Sequence, residues 1–259
     1  MKYQQVGSGN KSWLRWASPR NFDALAARLT RPLMYMAAVL AALGLYWGFY
    51  LAPADAVQGD SYRIMFLHVP ASWVAMIVYL AMAFWSAVYL VFRTRLSAMM
   101  AQALAPTGAL MTMLSLLTGS LWGKPTWGTY WVWDARLTSM LLLLFLYLGF
   151  IALTRGVSPS SRADGAGSIL ALVGAANVPI IYFSVVWWNT LHQGASLSFE
   201  SGVSMHSSML TALLLMSAAA WVYAIAVVLA RLRVLILERE AHTDWLARQY
   251  GGPTIGSIT

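Results

Sequence analysis

The stretch from Trp122 to Asp134 is the densest chemistry in the chain, with four tryptophans (Trp122, Trp127, Trp131, Trp133) and Tyr130 inside thirteen residues. Indole faces give large rigid contact area and stack offset or edge-on against flat aromatic partners. Gly123, Pro125 and Gly128 in the same stretch predict a tightly folded loop. Tryptophan and tyrosine also favour the boundary between a bilayer and water, which accounts for isolated residues such as Trp47, Trp85 and Trp221. A cluster confined to one loop is better suited to a platform for a flat aromatic ligand.

The histidines number four. His68 follows Arg63-Ile64-Met65-Phe66-Leu67, and His192 follows Trp187-Trp188-Asn189-Thr190-Leu191. Both neighbour aromatics. Imidazole nitrogen is a good ligand for haem iron, and two imidazoles from opposite sides give a six-coordinate centre. His206, before the last apolar block, is expected to be structural, and His242 lies in a polar tail. Arg63, Lys124 and Arg136 are the basic residues near these segments, suited to the carboxylates of such a ligand. The alternative is pairing with Asp60, Asp134 or Glu200, and Asp134 is expected to orient the tryptophan loop or Arg136. The chain has no cysteine, so thiolate metal sites, thiol redox chemistry and thioether attachment of haem are excluded.

These segments must be positioned by membrane helices. Apolar residues make up 59% of the chain and charged residues 10%, against about a quarter charged in soluble domains. Uncharged apolar blocks run over 33–52, 72–92, 97–121, 137–154, 168–188 and 207–230. Each is long enough for a helix to cross a hydrocarbon layer of roughly 30 Å. The first block begins too late for a cleavable signal and is read as a retained span. Asn177 and Pro179 predict a kink in span five. The expected organisation is a tail over 1–32, a six-span domain over 33–230 and a tail over 231–259, with a short helix after Leu237 and then disorder.

Orientation follows from the Lys/Arg bias of short loops. Fourteen basic residues fall in the two tails and in the loops holding Arg93, Arg95, Arg155 and Arg162, against Arg63, Lys124 and Arg136 on the other side. Both termini are therefore expected in the cytoplasm, with 53–71, 122–136 and 189–206 outside. The net charge of +8 is spread over loops and makes no nucleic-acid-binding face.

At these residues a family resemblance enters. The tryptophan segment ending in Asp134 resembles the WWD motif of haem-handling membrane proteins. With Ser61-Tyr62-Arg63-Ile64, Leu67-His68-Val69-Pro70 and Trp187 through Gly194, the chain resembles the CcmC family over all six spans. The larger haem lyases that share the WWD motif are longer, with spans and histidines that this chain has no room for. The resemblance implies an all-α membrane protein of six transmembrane helices with haem-binding loops on the periplasmic face of the inner membrane. It further implies non-covalent binding of haem b and its presentation to the haem chaperone CcmE during cytochrome c maturation. The implied partners are CcmA and CcmB, which form an ATP-hydrolysing complex, and the small CcmD. His68 and His192 match the axial-ligand positions and Trp122 to Asp134 the haem-binding segment, whereas His206 has no counterpart.

Two rival classes are disfavoured by the residues themselves. Electron-carrying cytochromes place histidines within spans, and transferases need acidic metal-binding pairs, yet the six blocks contain no histidine, aspartate or glutamate in their interiors. A subunit that moves haem across the membrane, the main alternative, would be expected to carry ionisable residues along its path. No Gly-rich phosphate loop with its lysine is present, so nucleotide hydrolysis is expected from partners. The topology is directly testable. Thr129→Cys should react with a membrane-impermeant thiol reagent added from outside, against a thiol-free background; labelling only from the cytoplasmic side overturns the assignment.

Overall fold

A computed structural model describes residues 18–188, 190–192, 197–198, 202–203 and 205–250. Lys2, Lys11, Arg15, Asn189, Gln193, Gly194 and Glu200, together with the chain beyond Tyr250, lie outside the described residues. The N-terminal helix α1 (Pro19–Tyr46) has proline at its first position, where a missing N–H costs nothing. A π-helical turn, Trp47–Leu51, extends it. A 3₁₀ turn, Asp60–Ile64, leads into α2 (Met65–Phe92). Then come α3 (Arg95–Trp127), α4 (Ala135–Gly156), α5 (Ser160–Ala175) and α6 (Asn177–Trp187). A two-residue antiparallel pair, β1 (Leu197–Ser198) with β2 (Gly202–Val203), precedes α7 (Ser207–Arg239) and α8 (Asp244–Tyr250).

Six helical units are long and apolar enough to cross a membrane: Pro19–Leu51, Asp60–Phe92, Arg95–Trp127, Ala135–Gly156, Ser160–Trp187 and Ser207–Arg239. The chain is an all-helical, multi-pass membrane protein. Helices α2 and α3 form the central pair, with α7, α5 and α4 around them, and α1 packs on α7. At the centre Tyr147 is fully buried and donates its hydroxyl to the Ala75 carbonyl at 2.8 Å, with Tyr79 edge-on at 4.9 Å.

Several boundaries differ from the sequence expectation, for identifiable reasons. Residues 19–32, expected as tail, are helical because buried Asp23 accepts a 2.9 Å bond from Arg233 and pins the helix start to α7. Helix α7 likewise runs on to Arg239, which meets Asp164 with two 2.9 Å bonds. Arg95 also pairs with Glu240, at 3.3 Å. Apolar blocks mark only what hydrocarbon covers; ion pairs carry the helices further. Span five breaks at Ala176, because Pro179 has no N–H for the Ala175 carbonyl. The Asn177 amide holds the break in place by donating to the Ser139 carbonyl of α4 at 2.9 Å.

The largest departure concerns the tryptophan segment. Residues 122–127 are not loop: α3 continues through Trp127, with Pro125 in its last turn, where the ring removes one backbone bond. The helix stops at Gly128, whose φ of 78° is left-handed and whose N–H bonds to the Lys124 carbonyl at 3.0 Å. Only Gly128 to Asp134 is irregular.

The ion pairs at the basic end should carry measurable stability. Asp164 is buried, and removing it leaves the largely buried Arg239 uncompensated, a change that costs roughly 3–5 kcal/mol. Asp164→Ala should therefore lower the thermal unfolding midpoint in detergent sharply. The double variant Asp164→Leu/Arg239→Met should recover much of the loss, since a well-packed apolar pair replaces a buried ionic one at little cost. Equal midpoints for wild type and Asp164→Ala would refute this.

Candidate functional site

At the end of the bundle opposite the ion pairs, the segment between α1 and α2 is stapled shut before His68 appears. The Asp55 carboxylate accepts from the N–H groups of Val57 and Gln58 at 2.9 and 2.8 Å. The Tyr62 hydroxyl donates to the Pro53 carbonyl at 2.8 Å. Gln58 then accepts from the Trp122 indole N–H at 2.8 Å, tying this segment to the end of α3. Behind it Tyr62, Met65, Phe66, Met209, Leu213 and Met216 form a second, smaller core. Trp122 is thereby held edge-on to His68, with ring centroids 5.8 Å apart.

His68 lies in the first full turn of α2, so this histidine, expected in the outside segment 53–71, belongs to the helix itself. Its Nδ1 sits 3.0 Å from the Ser115 carbonyl of α3 and 3.2 Å from the Thr118 hydroxyl. A carbonyl only accepts, so Nδ1 carries a proton, and in the neutral ring Nε2 keeps its lone pair. Gly119 makes this approach possible: a Cβ there would lie 2.9 Å from Cε1 of His68. Ser72, one turn along, joins the same junction through the His68 carbonyl at 2.8 Å and the Ser115 hydroxyl at 2.6 Å.

His192 comes from the other side of the cleft, beyond the end of α6. Its ring faces His68 with centroids 6.3 Å apart and planes inclined by 39°, and Trp127 lies 5.0 Å away. Its Nδ1 is buried without a hydrogen-bond partner. Burial, helped by the positive charge of Arg136 and by His68, pushes this imidazole down to about 3, so it is neutral at physiological pH.

A narrow cleft lies between them. Serines 72 and 115 line its upper part; Met76, Met140 and Ile181 line it at greater depth. Arg136 stands in the first turn of α4 and also lines it. Asp134 caps that helix, one carboxylate oxygen accepting from Leu137 N–H at 2.8 Å while the other is buried without a hydrogen bond. Among the described residues the Arg136 guanidinium makes no hydrogen bond, which leaves a cation facing the cleft. The arrangement has the donors for a metal held between two imidazoles. Bonds of about 2 Å on each side place ring centroids roughly 6 Å apart. No group of three or more His, Cys, Asp or Glu able to hold a bare metal ion exists among the described residues.

Not every candidate residue joins this cleft. Trp131 and Trp133 meet edge-on at 5.4 Å, and Trp133 is 76% exposed. The Trp131 N–H is buried without a partner. Lys124 folds back on the Gly128 carbonyl at 3.1 Å and over Tyr130. Arg63, expected as a carboxylate partner, does not line the cleft. Its guanidinium bonds Asp60 at 2.9 Å and the carbonyls of Gly48 and Ala52, closing the end of the first span. The π-helical turn leaves those carbonyls without helical donors, and the arginine supplies them. His206 caps α7 by accepting from Ser208 N–H at 3.2 Å, and His242 is exposed. Gln58, Ser115 and Gly119 were invisible to sequence reasoning, since a backbone carbonyl and a missing side chain leave no motif.

Comparison with known proteins bears on this geometry. The family model described as Heme exporter protein C (CcmC) matches residues 12–247. A Heme exporter protein C of Bradyrhizobium diazoefficiens is 49% identical over 227 residues, covering 88% of this chain and 86% of that protein. The Escherichia coli K12 protein of the same name is 46% identical over 213 residues, 81% and 84% of the two chains. A ccmC-like mitochondrial protein of Marchantia polymorpha, whose name places it in cytochrome c biosynthesis, is 44% identical over 200 residues, 77% and 85% of the two. With matches of this extent, the chain belongs to the Heme exporter protein C family.

Proposed function

We propose that the protein binds haem b non-covalently in the cleft between His68 and His192, on the periplasmic face of the inner membrane, and presents it to the chaperone CcmE for cytochrome c maturation. The observation that carries the reading is the opposed imidazole pair with an unpaired arginine in the same cleft. Haem supplies an iron with two open axial positions, a flat aromatic face and two carboxylates. His68 and His192 offer nitrogen donors to the two axial positions. Trp122 and Trp127, each packed on one of those imidazoles, cover the ring, with Trp131 and Trp133 completing the shelf toward solvent. Arg136 holds a carboxylate, and Asp134 fixes the turn from which Arg136 projects. The protein itself is a binding and delivery component. ATP hydrolysis belongs to CcmA with CcmB, and CcmD completes the complex.

Absorption spectra of purified variants test the ligand pair. His68→Ala and His192→Ala should each convert a low-spin six-coordinate spectrum to a five-coordinate one, partly restored by added imidazole. His206→Ala should leave it intact. An unchanged spectrum in either of the first two, or its loss in the third, means that a different pair binds the iron.

The two arginines should separate. Arg136→Ala should weaken haem retention by on the order of 1.5–3 kcal/mol if its carboxylate contact is shielded from water. Arg63→Ala should lower abundance and thermal stability while protein that survives keeps its haem. Haem loss in Arg63→Ala at full stability would return it to the binding site.

The neutral state of His192 sets the pH dependence. Its folded value is lowered, so the unfolded chain takes up a proton that the folded chain refuses as pH falls from about 6.5 toward 3. Stability of the haem-free protein should therefore be flat from pH 8 to 7 and decline through that window. His192→Gln should flatten the decline; a wild-type curve identical to that of the glutamine variant would contradict it.

A further inference from the structure

The two imidazoles are held very differently. His68 sits on the central helix α2, its Nδ1–H donated to the Ser115 carbonyl and its ring seated where Gly119 lacks a side chain. His192 belongs to no helix or strand, its Nδ1 is buried without a hydrogen-bond partner among the described residues, and its ring contacts there are with Trp127 and His68. Metal-bound histidines ordinarily donate their second nitrogen to a carbonyl or carboxylate, which fixes the ring and raises its basicity. One imidazole here has that support and the other does not.

We propose that His68 is the fixed ligand of the cargo iron and His192 the exchangeable one, with Gly119 and the Ser115 carbonyl as the device that fixes His68. The inference rests on the haem-presenting reading above. Hand-off is then a ligand substitution on the His192 side. The bond between a His192 ring nitrogen and iron breaks, a donor from the receiving protein forms its bond on the vacated face, and His68 releases last. Each nitrogen leaves with the electron pair it brought, so iron is neither oxidised nor reduced. Gly119 is a positioning residue in this scheme: it touches no cargo and acts through the imidazole it admits.

The test is haem transfer from the purified, haem-loaded full-length protein to an excess of a high-affinity apo-acceptor protein, followed by absorption. His192→Gly should keep a five-coordinate haem and lose it slowly. His68→Gly should lose haem faster than His192→Gly by roughly 10-fold or more, the usual weight of second-shell support. Gly119→Ala should speed the loss from otherwise wild-type protein by roughly 10- to 100-fold and shift its spectrum toward high spin, at unchanged abundance. In a His68→Gly background the same change should add nothing. Equal rates for the two histidine variants, or the reverse order, overturn the inference while leaving both histidines as ligands. A Gly119→Ala effect that persists without His68 overturns it as well. Unchanged low-spin spectra in both histidine variants would instead remove the proposed function itself.

Discussion

The hydrogen bond from His68 Nδ1 to the Ser115 carbonyl joins the two central helices at the end of the bundle where all the candidate chemistry lies. It selects one tautomer and turns the other nitrogen outward. The surrounding structure serves that contact. Gly119 removes the atom that would block it. The Ser72 and Ser115 hydroxyls satisfy one another beside it, so the junction buries polar groups in pairs. Trp122 closes the exposed edge and is itself held by Gln58 from the first loop. A mispacked α1–α2 segment would therefore be felt at the imidazole, through Gln58 and Trp122.

The opposite end solves a different problem with different chemistry. There Asp23, Asp164 and Glu240 are buried and each meets an arginine, linking α1 with α7, α5 with α7, and the start of α3 with the end of α7. These bonds hold the helix ends where apolar packing has run out. At the histidine end the one comparable arginine lock, Arg63, closes the first span over its own carbonyls. Arg136 is left without a hydrogen-bonding partner among the described residues. One end of the bundle ties three buried carboxylates to arginines, and the other holds Arg136 beside two imidazoles.

Much of this was legible in the sequence and the remainder had physical reasons to be hidden. Six apolar blocks announced six helices, and Asn177 with Pro179 announced the break in the fifth. His68, His192 and the tryptophans stood out by type and neighbourhood; the two histidines lie beside Trp122 and Trp127, whereas Trp131 and Trp133 stay out of the cleft. Trp122 to Trp127 was misread as loop because glycine and proline were counted without their positions; Pro125 falls in a last turn, where helix tolerates it. Arg63 takes the alternative partner, Asp60, and its carbonyl partners come from a π-helical turn, which no side-chain pattern reveals. The anchor of His68 was hidden for the same reason: its acceptor is backbone.

In the proposed function the protein must hold its cargo firmly enough to collect it and loosely enough to surrender it, a requirement that an electron carrier lacks. The broken fifth span answers this. A continuous helix through residue 192 would have carried the second imidazole on the same kind of scaffold as the first. Instead the span breaks at Ala176, α6 ends at Trp187, and His192 stands beyond it on irregular chain. Asn177 secures the break to α4, while His192, beyond α6, has no hydrogen bond to its Nδ1 among the described residues. In the proposed hand-off the weakness is confined to one side of the ring. Any incoming donor therefore meets the cargo on the His192 face, the one whose release disturbs no helix of the bundle.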